Sequence, residues 1–360
     1  MVVVSELFFT GFPGFLGSAL VERVLARGDG PVACLVQPKY CDLAKRRAGE
    51  IAEAVDAGND AIQLYEGDIT EPGLGLDDSA FDEIRELYHL AAVYDLGVDP
   101  DLAEAVNVRG TENVLDFAED WGVDRFQYVS TCYVSGRYDG VFTEDDLRVG
   151  QTFNNHYEET KFRAEVAVQE RMADGLPATV YRPAIVVGDS ETGATDKYDG
   201  PYNLIQSLMA QPEWFATTFS FPGSRDAELN VVPRDFVIDA ITFLSAREGS
   251  VGEVYQLCDP APLSVPEFVD AVAKAVGCRA VSIPATRRLA RVLAARTDSP
   301  ALDFDPETLA YLDHPTRYAC PETTRALAGS GIEVPAFESY VDRLVEFVRE
   351  NPDVGDEPMV

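Results

Sequence analysis

The sequence predicts an α/β fold: a doubly wound parallel sheet followed by a smaller, mostly helical C-terminal region. Three observations carry this. Short apolar runs recur at 7–9, 32–36, 61–65, 86–90, 126–129 and 178–182, the length of buried strands. Helical stretches at 16–25, 43–57, 102–118 and 158–172 stand between them. A glycine-punctuated turn leads from the first run straight into the first helix. Past Val186 the alternation stops. Residues 188–203 read as a loop rich in Gly, Asp, Ser and Thr, 229–232 and 253–257 as strands, and 236–244 as a helix. The remainder reads as mostly helical, up to 340–349.

The chain carries 62 acidic and 29 basic residues, a net charge of 29 − 62 = −33. That charge argues against sequence-independent binding to nucleic acid, which needs cations to displace counterions. It fits an acidic surface that meets a basic partner, or a halophilic protein whose self-repulsion is screened over about 3 Å at 1 M salt. Five lysines against 24 arginines favour the halophilic reading. Six cysteines form no CxxC pair and only three histidines are present, which argues against a structural zinc, and no metal is expected. With no basic-then-apolar leader and no 18-residue apolar run, the expectation is a cytoplasmic protein without a transmembrane segment.

Thr10-Gly-Phe-Pro-Gly-Phe-Leu-Gly17 closes the first strand and opens the first helix. Gly11 permits a tight turn, Gly14 lets backbone approach a pyrophosphate, and Gly17 allows close helix–strand packing. Phe15 and Leu16 sit at the helix start, which favours an anion. This context predicts a dinucleotide loop in a Rossmann-type unit over 1–187, to which 226–258 returns. A substrate-binding region over 188–225 and 259–350 and a polar tail over 351–360 complete the division. An acid closing the second strand would bind the ribose hydroxyls of NAD. Here that strand runs into Gln37-Pro-Lys39, with Lys45-Arg46-Arg47 beyond, which leans towards NADP over NAD. After the third strand, Gly67-Asp68-Ile69 offers Asp68 either to an adenine amino group or as a turn acid.

Tyr157-Glu-Glu-Thr-Lys161 is the only Tyr-x-x-x-Lys in the chain, where chance gives about 0.2 such pairs. At i and i+4 both side chains share one helix face, and Asn155 with Glu158 forms a capping arrangement that starts the helix there. A lysine ammonium and a positive nicotinamide beside the phenol would lower its pKa and fit it for proton transfer to a carbonyl oxygen. The segment Tyr128-Val-Ser-Thr-Cys-Tyr-Val-Ser-Gly136 offers Ser130 and Thr131 as hydroxyls to hold that oxygen, or as turn-makers.

Taken in order, the glycine loop, Gly67-Asp68, His89-Leu-Ala-Ala92, Asn107-Val-Arg-Gly-Thr111, Val129-Ser-Thr131, Tyr157-x-x-x-Lys161 and Arg182-Pro183 resemble the extended short-chain dehydrogenase/reductases. The resemblance implies that Thr131, Tyr157 and Lys161 are catalytic, and that Lys161 also binds the nicotinamide ribose. It further implies that Ala91 and Ala92 line the cofactor and that Pro183, Ala184 and Val186 pass beside the nicotinamide. Phe8-Phe-Thr-Gly-Phe-Pro-Gly-Phe-Leu-Gly17, Glu66-Gly-Asp-Ile-Thr-Glu-Pro-Gly-Leu-Gly75 and His89-Leu-Ala-Ala-Val-Tyr94 are similar to the fatty acyl-CoA reductase and carrier-protein thioester reductase branch, the male-sterility type. That branch commonly has arginine where Gln37 stands.

The expected function is therefore NAD(P)H-dependent reduction of an acyl thioester, linked to coenzyme A or a carrier protein, or of an aldehyde with a hydrophobic chain. A nucleotide-sugar epimerase or dehydratase, a hydroxysteroid-like alcohol dehydrogenase and a non-catalytic redox-sensing protein are the alternatives. Arg279, Arg287, Arg288, Arg291 and Arg296 read as a solvated helix face or as a docking site for CoA phosphates, an acidic carrier or an anionic membrane. The assembly allowed for is a homodimer.

Overall fold

The structure is a computed structural model that describes residues 7–58, 60–77, 81–94, 97–212, 215–220, 224–284 and 308–354. The first half runs β1 (Leu7–Thr10), α1 (Phe15–Arg27), β2 (Val32–Val36), α2 (Cys41–Ala54), β3 (Ile62–Glu66), β4 (Glu86–His89), α3 (Pro100–Ala103), α4 (Gly110–Trp121) and β5 (Arg125–Val129). There follow β6 (Val141–Phe142), α5 (His156–Ala173), β7 (Ala178–Pro183), β8 (Ile185–Val187), α6 (Pro201–Met209), β9 (Ala216–Ser220), β10 (Glu228–Leu229) and β11 (Val231–Pro233). The chain ends with α7 (Arg234–Ser245), β12 (Val254–Leu257), β13 (Leu263–Ser264), α8 (Val265–Val276), β14 (Ala280–Pro284), β15 (Arg317–Tyr318), α9 (Pro321–Leu327) and α10 (Val341–Glu350).

Seven strands form one parallel sheet in the order β12-β7-β5-β4-β1-β2-β3. The pleat sends alternate side chains to opposite faces. Phe9 joins Leu20, Val21 and Val24 of α1 and Ile241 of α7 on one face. Phe8 joins Val114 and Phe117 of α4 and Ala164 and Val168 of α5 on the other. Both phenylalanines are fully buried, each contributing about 1.5–3 kcal/mol of apolar burial. The strand order reverses at β1, between β2 and β4, which opens a crevice at the carboxyl ends where such sheets bind ligands. A third core, of Ile205, Phe268, Val272 and Leu344, joins α6, α8 and α10 beyond those ends.

One expectation is corrected and another is extended. The helix expected over 102–118 is interrupted, because Glu104–Arg109 forms a π-helical turn between α3 and α4. Asn107, at its centre, accepts from the Val93 N–H (2.8 Å) and donates to the Val93 carbonyl (3.2 Å) and Thr160 Oγ1 (3.0 Å). These bonds dock the turn between two other segments. Among the described residues the C-terminal region also adds short strands that no sequence pattern signalled. β14 pairs with β9 in register Ala280↔Ala216, and β15 pairs with β6 through Arg317↔Val141. Thr323 at the start of α9 donates through N–H and hydroxyl to Glu144 Oε1, so this segment packs back on the sheet-bearing unit.

One polar contact lies at the centre of the packing. Arg182 on β7 and Glu165 on α5 are both fully buried and are joined by Arg182 Nη2–Glu165 Oε1 (2.7 Å) and Nε–Oε1 (2.9 Å). Arg182 also donates to the carbonyls of Thr143 and Asp146. Removing one partner of such a pair strands the other charge away from water. Arg182→Leu is therefore expected to cost about 3–5 kcal/mol of stability. Urea unfolding followed by circular dichroism measures it, and an unchanged midpoint would refute the assignment.

Candidate active site

The glycine loop is shaped by its own backbone. Gly11 adopts φ +92°, and a Cβ there would meet the Ala91 nitrogen at 2.8 Å. At Gly17 a Cβ would lie 2.4 Å from the Gly11 carbonyl oxygen, which only hydrogen allows. α1 starts at Gly14 with no side-chain cap and no acid in its first turn. Its open N–H groups and positive dipole end thus face the crevice, the arrangement that takes a dinucleotide's pyrophosphate.

A cavity of about 630 Å³ runs from this loop to the third core. Gly11, Gly14, Phe15, Leu16, Gly17, Gln37, Asp68 and Ile69 line one end. Ala91, Ala92, Thr131, Tyr157, Lys161, Pro183, Ala184 and Val186 line the middle. Lys39 is absent from the lining. It stands exposed on the short turn Pro38–Tyr40 with its ammonium over the Tyr40 ring, and Arg47 of α2 reaches the cavity instead. Arg47 pairs with Asp196 at 2.7 Å. Gln37 donates to Asp68 Oδ2 (2.8 Å), while Asp68 Oδ1 accepts from the N–H and hydroxyl of Thr70. Asp68 thus performs the turn role that the sequence allowed it, at the cavity wall.

In the middle, α5 presents Tyr157 and Lys161. Asn155 caps the helix by accepting from the Glu158 N–H (3.0 Å), and Glu158 reaches back one residue further than a capping box, to the Asn154 N–H (2.8 Å). The Tyr157 phenol lies by the Thr131 side chain, not by Ser130, whose hydroxyl turns away to Glu165 Oε2 (2.5 Å). The two residues adjoin at the end of β5, where the pleat sends them to opposite sides. Burial pushes the Tyr157 pKa up and the Thr131 side chain offsets this in part. The lowering expected from the lysine is not found, because the Lys161 ammonium is turned to the Tyr128 hydroxyl and the Val129 carbonyl while the phenol has lost its water. Burial likewise lowers the Lys161 pKa to about 8, with Glu165 opposing.

His89 is a structural histidine. Thr111 donates its hydrogen to the Asn107 carbonyl (2.7 Å), so His89 Nε2 must donate to Thr111 (3.0 Å), and Nδ1 accepts from Thr10 (2.7 Å). Burial lowers its pKa to about 3 and keeps it neutral.

Aromatic and apolar residues assigned no site role from the sequence complete the far end. Tyr133 and Tyr311 meet edge to face at 4.9 Å, and Asn155 Nδ2 donates to the Tyr311 hydroxyl (3.0 Å). Tyr94 stacks edge-on against Tyr157 at 5.0 Å, with Lys197 above its ring. Leu204, Leu229, Val265, Phe268, Val269 and Leu312 make the wall beyond apolar. Of the arginine cluster only Arg279 is described, exposed; Arg287, Arg288, Arg291 and Arg296 lie outside the described residues. Among the described residues no group of side chains could hold a metal ion, and no helix is long and apolar enough to cross a membrane.

Comparison with known proteins shows the family and the fold. The terminal R domain from the myxalamid PKS-NRPS biosynthetic pathway superposes with a TM-score of 0.79 at 25% identity, covering 97% of this chain and 91% of that one. A thiolation-reductase di-domain from an archaeal non-ribosomal peptide synthetase shares the fold, with a TM-score of 0.75 at 20% identity, covering 98% of this chain and 76% of that one. Aldehyde reductase lnbA of Aspergillus flavus is 25% identical over 304 residues, 78% of this chain and 29% of that protein. The chain spans only 25%, 7% and 29% of the length of three curated relatives that it matches. The family described as Male sterility protein, an NAD-binding family, matches residues 9–241. The chain belongs to that family, in the thioester reductase branch of the extended short-chain dehydrogenase/reductases.

Proposed function

We propose that the protein reduces the carbonyl of an acyl thioester, presented on coenzyme A or a carrier protein, or of an aldehyde with a hydrophobic chain, and prefers NADPH. The observation that carries this reading is the meeting of Tyr157, Thr131 and Lys161 in one cavity, between an anion-binding helix start and an apolar end. The likeness to a thiolation-reductase di-domain supports a carrier-bound substrate.

A reduced nicotinamide supplies the hydride. The hydroxyls of Thr131 and Tyr157 hold the carbonyl oxygen, and Tyr157 gives it a proton as negative charge develops. Its raised pKa keeps the phenol protonated, the form from which a proton can be given. Lys161, charged at neutral pH, stabilises the phenolate left behind. With a thioester the product is a hemithioacetal, which expels the thiol and leaves the aldehyde. The apolar wall formed by α6 and α8 houses the acyl chain. Arg47, the cation that reaches the adenosine end, supports NADPH in place of the arginine absent at Gln37.

Tyr157→Phe is expected to lower kcat by about 10²–10⁴-fold with NADPH binding, read by fluorescence titration, unchanged. Retained turnover on an acyl-CoA, acyl-carrier and aldehyde panel would sink the proton-donor role. The kcat/KM for reduction should fall above about pH 8, as Lys161 loses its proton. A profile flat to pH 10 contradicts that. Arg47→Ala should weaken NADPH about tenfold and leave NADH unaltered, by equilibrium titration of each; equal weakening of both would remove the argument for NADP.

A further inference from the structure

Lys161 is held from behind by hydrogen bonds whose members have no part in the reaction above. Its ammonium donates to the Tyr128 hydroxyl (3.0 Å) and to the Val129 carbonyl (2.9 Å). A Tyr128 oxygen that accepts from Lys161 must send its own hydrogen elsewhere, and the Ser130 and Thr111 hydroxyls are its neighbours. Thr111 is already engaged twice, giving its hydrogen to the Asn107 carbonyl and accepting from His89, whereas Ser130 is engaged once. Ser130 gives its hydrogen to Glu165 Oε2 and keeps a lone pair for Tyr128. The carboxylate is then fixed by Arg182 and by Gln169 Nε2 (2.8 Å). With the Tyr128 hydrogen sent to Ser130, each hydroxyl along this path would point the same way, from ammonium to carboxylate. The participants are buried: Tyr128, Glu165 and Arg182 are fully enclosed, and Lys161 is 4% exposed.

We propose that Tyr128 and Ser130 are positioning residues, forming an oriented wire from Lys161 to the Arg182-anchored carboxylate of Glu165 that fixes the lysine in place and holds it in the ammonium form. The groups that face Lys161 agree with that polarity. Tyr157 and Glu165 lie on its own helix, Tyr128 on β5 and neutral His89 on β4, while Arg182 on β7 stands beyond the carboxylate. Glu165 is the one anion among these groups, and the wire is its hydrogen-bonded route to the lysine. Deleting a link removes an acceptor from the charged form alone, so the lysine should release its proton more readily.

The wire rests on the reading of Lys161 as functional only for its consequence in turnover, so it is tested first without substrate or cofactor. The chain has five lysines. Carbon-13 labelling of their ε-carbons therefore gives few enough signals to follow Lys161 by NMR through a pH titration of the intact protein. The parent midpoint is expected near 8. Tyr128→Phe should lower it by about one pH unit. Ser130→Ala, which alters no charge, should lower it by less, and the double variant should match Tyr128→Phe, since links in series do not add. An unmoved midpoint in Tyr128→Phe overturns the wire, as does full additivity. If Tyr128→Phe fails to fold, Ser130→Ala decides alone, and an unmoved midpoint again overturns it. The alkaline limb of kcat/KM should shift with the NMR midpoint. A shifted midpoint with an unshifted limb upholds the wire and instead overturns the catalytic reading of Lys161.

Discussion

The enclosed Arg182–Glu165 pair is the constraint from which the site's geometry follows. It clamps α5 to β7 with both partners out of water. α5 carries Tyr157 and Lys161, while β7 leads into Pro183 and Ala184 at the cavity wall. Sliding the helix by one residue would move the phenol out of reach of Thr131 and break four hydrogen bonds to a buried charge. The desolvation cost of such a pair is large, and here each partner is further hydrogen-bonded, Arg182 to two loop carbonyls and Glu165 to Ser130 and Gln169. The pair thus serves less to add stability than to allow one register of helix against strand.

A second layer of polar contacts sets the crevice itself. His89 spans from Thr10, at the end of β1, to Thr111 at the start of α4, and Asn107 ties the π-helical turn to Val93 and Thr160. Both residues stand in motifs that border the cofactor region, yet neither has a free hydrogen-bonding atom for a ligand. Their work is to hold the loops after β4 where Ala91 and Ala92 line the cavity. The electrostatics are equally local. In a chain of net charge −33, Arg47, Lys161 and Lys197 line the cavity, and Arg47 and Lys197 are paired with Asp196 and Asp199 of one loop.

What was legible in the sequence was local. The glycine loop reads from spacing because a tight turn, a close backbone approach and a helix start occupy eight consecutive residues. Tyr157 and Lys161 read as a pair because a helix puts i and i+4 on one face, and Asn155 read as their cap because capping acts across three residues. The parallel sheet followed from alternating buried runs. Where a choice depended on direction, the sequence left it open. Ser130 and Thr131 are adjacent hydroxyls, and only the pleat at the end of β5 sends one to Tyr157 and the other to Glu165. Among the cations after β2, Lys39 was favoured by nearness, but the rotation of α2 brings Arg47 to the cavity.

The sequence by itself determined the sheet, the cofactor loop and the Tyr157/Lys161 pair, since each depends on backbone preferences and on neighbours within one turn. Tertiary structure decided what stands opposite them. It placed Tyr311, 156 residues further on, against Asn155, built the apolar wall from helices far apart in the chain, and brought Tyr128 to Lys161 and Ser130 to Glu165. Those contacts join segments that no period or spacing connects. They exist because exclusion of water makes each buried donor and acceptor find a partner across the fold.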